Sequence, residues 1–97
     1  MKFAEVETAD RRLVLLRGLQ GAARYTANTY LLRAYARSVG HVASSDRIET
    51  DITWLAEQGL VDKVVREGVT LATLTTRGLD VADGSATVPG VARPQPE

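Results

Sequence analysis

The chain contains no cysteine and a single histidine, His41. No disulfide can staple it and no thiolate can hold a metal, so a disulfide scaffold and a Cys-based zinc site are both excluded. Its longest unbroken apolar run is Leu13–Leu16, far short of the ~18 residues of a membrane span. Glu5, Glu7 and Asp10 follow Lys2 closely, so no signal peptide is expected. A cytoplasmic protein without membrane association is therefore expected. The glycines Gly18, Gly21 and Gly40 are too far apart to form a phosphate-cradling loop. The acids Asp46, Glu49, Asp51 and Glu57 spread around a helix instead of converging on a cation. With one isolated histidine in a turn, these absences predict no enzyme, no cofactor, no metal and no small-molecule ligand.

What remains is a domain of 97 residues with 12 basic and 12 acidic side chains. Residues 1–41 carry seven basic groups and three acids, hence +4, and residues 42–97 carry five and nine, hence −4. Ten of the twelve basic residues are arginine, the type suited to bidentate contacts with phosphate or carboxylate. A positive half can face phosphates or an acidic partner.

Hydrophobic spacing predicts a first helix over 9–19, capped by Thr8, with Ala9, Leu13, Leu16 and Leu19 at helical intervals. A link over 22–26 has room for one or two residues of strand. A second helix is predicted over 27–39 and stopped by Gly40. Its wheel places Leu31, Tyr35 and Ser38 inward, flanked by Leu32 and Val39, and puts Tyr30, Arg33 and Arg37 on the opposite side. After a tight connection, Ser44 or Ser45 caps a third helix over 46–58, with Ile48, Ile52 and Leu55 inward and Gly59 just past its end. Two β-branched runs, 61–66 and 69–74, bracket Glu67-Gly68, a hairpin signal. Thr75 or Thr76 caps a last short helix, which Gly84 closes. Gly78 falls in its first turn, where a side chain would collide with the hairpin. From Gly84 onward the chain carries all three prolines and little apolar material, reading as a flexible tail or a segment that orders on a partner.

Helix, link, helix, turn, helix, hairpin, helix is the order of a winged helix-turn-helix domain. The run WLAEQGLVDKV (54–64) resembles the recognition-helix end of winged-helix regulators of the MarR and ArsR type, and LTTRGLDVADG (74–84) resembles the segment after the wing in those families. The general appearance, including LLRAYARSVGHVASSDRIETDITWL (31–55), is also similar to short winged-helix proteins of Mu-like phages and prophages. The resemblance implies an α+β fold: a three-helix core, a two-stranded β-hairpin wing and a short C-terminal helix over 1–84, followed by a flexible tail over 85–97. It also implies a transcription regulator that binds double-stranded DNA, by analogy of fold alone.

In such a protein the third helix enters the major groove while the wing and second helix touch phosphates. Arg24, Tyr30, Arg33, Arg37, Lys63 and Arg66 are the candidates for gripping the backbone. Ser44, Ser45, Arg47 and Thr50 are the candidates for reaching base edges. The outer face of the third helix holds Asp46, Arg47, Thr50, Thr53, Trp54 and Glu57, with Glu49 and Asp51 at its edges. So many acids beside phosphate weigh against groove insertion. The second hypothesis is therefore an interaction module, in which Trp54 and Glu57 meet a second copy or a phage protein. The alternative for Trp54 is that it folds against the wing or the tail.

Overall fold

The computed structural model describes residues 2–95. Its elements are α1 (Phe3–Gln20), a single 3-10 turn (Ala23–Tyr25), β1 (Thr26–Asn28), α2 (Thr29–Ser38), α3 (Ser45–Glu57), β2 (Val61–Arg66), β3 (Val69–Leu74) and α4 (Thr76–Asp83). The protein is α+β, with four helices and a three-stranded antiparallel sheet in the order β1-β3-β2. No helix among the described residues is long and apolar enough to cross a membrane.

The hairpin lies where its residues predict it. Glu67 and Gly68 both take positive φ, 51° and 77°, the conformation of a type I′ turn that matches strand twist. Pairing runs from Arg66↔Val69 to Val61↔Leu74. Alternation then sends Thr70, Ala72 and Leu74 inward. The sheet is not two-stranded, however: the end of the link and the two residues after it form β1, paired as Thr26↔Thr73 and Asn28↔Leu71. The hydroxyls of Thr26 and Thr73 share a 2.9 Å hydrogen bond across that pair.

Three helix predictions need correction. α1 begins at Phe3, not at residue 9, and Thr8 is no cap; its hydroxyl donates back to the Ala4 carbonyl at 2.9 Å inside the helix. α2 begins at Thr29, because the Asn28 side chain accepts from the Leu31 N–H at 2.8 Å and so starts the helix two residues later than expected. Its buried stripe is Leu32 and Ala36, not Leu31 and Tyr35. The helices cross closely where Ala36 is fully buried, and a tyrosine ring does not fit there. Tyr35 lies instead on the surface of α1, with its ring against Gly18.

α3 and α4 follow their signals. Ser44 accepts from the Arg47 N–H at 3.1 Å, and Thr75 from the Gly78 N–H at 3.0 Å. Ile48, Ile52 and Leu55 are buried with Leu15, Leu16, Leu19, Leu60 and Val81 in one core. At Gly78 a Cβ would overlap the Leu60 carbonyl oxygen and sit 2.7 Å from Leu74 Cδ1, so only glycine lets α4 approach the hairpin this closely.

The C-terminal segment is not a free tail over its described part. Val88 and Val91 are buried, and the Ala92 N–H donates to the Ala9 carbonyl at 3.1 Å. Gly90, at φ +96°, lies against Trp54: a Cβ there would be 2.8 Å from Trp54 Cζ2. Two valines three residues apart anchor a strap that proline content alone marks as flexible. Pro96 and Glu97 lie outside the described residues.

Candidate nucleic-acid interface

The connection between α2 and α3 is braced by the second helix itself. Arg33 Nε donates to the Ala43 carbonyl at 2.9 Å, and its Nη1 lies 3.5 Å from the Ser45 hydroxyl. Arg33 thus sits beside the start of α3, where Ser44 caps the helix and Ser45 and Arg47 open its first turn. Arg37 follows one turn along the same flank of α2 and is exposed. His41, in the connection, binds Asp10 of α1 through Nε2 at 2.6 Å.

Tyr30 is exposed and, with Ser45 and Glu49, lines a depression of about 310 Å³ that runs to the hairpin tip at Gly68. Thr50 and Lys63 line a second depression of about 380 Å³, where Lys63 Nζ donates to the Thr53 hydroxyl at 3.0 Å. Arg47 lines a third, of about 410 Å³, with Glu7 and Arg11. Tyr30, Arg33, Ser44, Ser45, Arg47, Thr50 and Lys63 are therefore gathered around the exposed side of α3. Arg66 stands at the hairpin tip, paired with Val69. Arg24 stands apart, in the 3-10 turn before β1, with a left-handed φ of 57°.

The acidic side expected on α3 keeps its two outer acids, but the two at its edges are engaged within the fold. Asp51 is not an edge acid; it is 1% exposed. Its carboxylate receives Arg11 Nε at 2.5 Å and Nη2 at 3.3 Å, and Arg12 Nε lies 3.7 Å away. Arg11 is itself buried at 8% exposure, so an ion pair joins α1 to α3 inside the protein. Both oxygens of Glu49 are also engaged, accepting from the hydroxyls of Thr29 and Thr70. That carboxylate ties the start of α2 and the middle of β3 to α3. Asp46 and Glu57 remain exposed.

A sign of the buried pair was present in the wheel. At 100° per residue Asp51 falls within about 60° of Ile48, inside the core stripe, and a carboxylate there needs a buried cation. Trp54 follows the alternative reading: it is half-buried against the C-terminal segment at Gly90, not turned outward. The Arg12 guanidinium stacks on its ring, 3.9 Å from the centroid, and donates through Nη1 to the Gly90 carbonyl at 3.1 Å. Burial is the main cause that pulls the Arg12 pKa below its ordinary value, with Asp51 opposing it. Arg12 Nε is buried without a hydrogen-bond partner. Glu57 stays exposed at the end of α3 and lines one depression with Trp54 and Lys63. Among the described residues no three His, Asp or Glu side chains converge on a metal position.

The chain is 45% identical over 92 residues to protein gp26 of Escherichia phage Mu, with 95% of each chain covered. The chain belongs to the family of phage Mu gp26. A protein of Haemophilus influenzae (strain ATCC 51907 / DSM 11121 / KW20 / Rd) is also similar, 39% identical over 80 residues, which are 81% of this chain and 78% of that one. No family model matches the chain. The likeness to small phage proteins expected from residues 31–55 is thus met by a Mu relative. Both relatives are named only as uncharacterised.

Proposed function

We propose that this member of the phage Mu gp26 family is a winged-helix protein that binds double-stranded DNA and acts as a transcription regulator. The fold reading is supported by a strand between α1 and α2 that joins the hairpin as β1-β3-β2, and by the α2–turn–α3 unit packed beneath that sheet. The observation that carries the DNA reading is the pairing at α3. Asp51 is neutralised by Arg11 inside the protein and Glu49 is held by two hydroxyls. The start of α3 then presents Ser44, Ser45, Arg47 and the neighbouring Arg33 beside one exposed acid, Asp46. Phosphate contacts dominate DNA affinity; Arg37 and Arg66 supply further cations on α2 and the wing, and Lys63 lies farther along α3, beside Thr53. Serine, threonine and arginine at the N-terminal turn of such a helix are suited to phosphate oxygens and base edges. An electrophoretic shift with a duplex of mixed sequence at low salt tests the reading. Retardation that is lost in the double variant Arg33→Ala/Arg47→Ala is expected, and a chain that retards no duplex would refute it. The rival reading, an interface centred on Trp54, loses its main support because Arg12 and Gly90 cover that ring.

A further inference from the structure

α2 has two outward flanks on opposite sides of its buried Leu32–Ala36 stripe. One carries Tyr30, Arg33 and Arg37 and faces α3. The other carries Leu31, Tyr35 and Val39, which are 54%, 40% and 50% exposed. Their i, i+4, i+8 spacing forms a continuous apolar ridge. Gly18 of α1 lets the Tyr35 ring lie flat against that helix, so the ridge continues onto the outer side of α1. There the residues at helical spacing are Asp10, half-buried Val14 and Arg17.

We infer that this α1–α2 face is the interface of a homodimer, with the second copy related by a two-fold axis that crosses α1 near Val14. The charges argue for a second copy in particular. Asp10 and Arg17 lie seven positions apart, about 10 Å along the helix, with Val14 near their midpoint. A two-fold axis there exchanges the two positions and sets each acid against the partner copy's base. A surface that complements itself in this way is what an isologous contact requires. Arg17 makes no ion pair among the described residues, and the contact of Asp10 with His41 uses only Oδ2. The formal net charge is zero, so two copies meet without long-range repulsion. A standard interface takes about 800 Å² from each partner, a modest part of the 6045 Å² this chain exposes. The inference stands independently of DNA binding, because it uses the other flank of α2.

Sedimentation velocity of the full chain over a wide concentration range tests it. The wild type is expected to move from its 10.5 kDa monomer to twice that mass. Leu31→Asp, which puts a charge on the exposed apolar ridge, should weaken dimerisation at least about tenfold. Asp10→Arg and Arg17→Asp should each weaken it, and the double swap should recover most of the loss. Circular dichroism verifies folding, and Val39→Asp replaces any variant that fails it. A wild type that stays monomeric at the highest concentration overturns the inference. So does a dimer indifferent to Leu31→Asp, or a double swap no better than its single variants.

Discussion

Replacing Asp51 by Asn should unfold far more of this protein's stability than a helix-surface substitution would. The carboxylate is 1% exposed and meets two nitrogens of Arg11, which is 8% exposed, with Arg12 Nε at 3.7 Å. Asn keeps the shape and one acceptor oxygen but leaves a guanidinium buried without its counter-charge. Breaking a buried pair from one side costs about 3–5 kcal/mol. Because Arg11 touches solvent at its edge, the lower end applies, about 3 kcal/mol. That is a large share of the roughly 5–15 kcal/mol that holds a domain together. In a chain of this length it lowers Tm by about 12–24 °C. Urea unfolding followed by circular dichroism and by fluorescence of Trp54, one turn along α3, measures it. The double variant Arg11→Met/Asp51→Leu, which removes both charges, should recover to within about 1 kcal/mol of wild type or exceed it. A cost for Asp51→Asn within about 0.5 kcal/mol, the range of ordinary surface changes, would show that the pair is not buried and refute the reasoning.

Gly78→Ala should cost about 3 kcal/mol in urea unfolding, because the new methyl overlaps the Leu60 carbonyl and presses on Leu74. Glu67→Asn should stabilise the hairpin by about 0.5 kcal/mol, since Glu67 holds φ at 51° in a turn that favours Asn; a lower midpoint would contradict the turn assignment. Val88→Ser with Val91→Ser removes two buried side chains, each contributing about 1.5 kcal/mol. It should also red-shift Trp54 emission as Gly90 leaves the ring, and an unshifted spectrum would show that the strap does not cover Trp54.

Elements defined by local chemistry were legible in the residues. Glu67-Gly68 between two β-branched runs specifies a hairpin, and Ser44 and Thr75 can satisfy the first N–H groups of the helices they precede. What escaped depends on distant partners. Thr26–Asn28 is strand only because Leu71–Thr73 offers it hydrogen bonds; in isolation, its residues read as the end of a link and the start of a helix. On α2, hydrophobic bulk favours Leu31 and Tyr35 as the inward face, whereas the fold buries Leu32 and the small Ala36. Composition marked 85–97 as loose, yet two valines suffice to dock its described part across α1 and Trp54. At the candidate interface the residues display the acids of α3 but not their pairing. A wheel gives the direction of Asp51 and Glu49, and only the fold supplies Arg11, Thr29 and Thr70 as their partners.

The most direct measurement of the DNA reading is fluorescence anisotropy of a labelled duplex titrated at a series of salt concentrations. If Arg33, Arg37, Arg47, Lys63 and Arg66 meet phosphates, log K should fall linearly with log salt with a slope of about −3 to −4.5. Arg33→Ala with Arg47→Ala should then flatten that slope by about 2. Absence of binding at the lowest salt, or a slope unmoved by losing both arginines, would contradict the account.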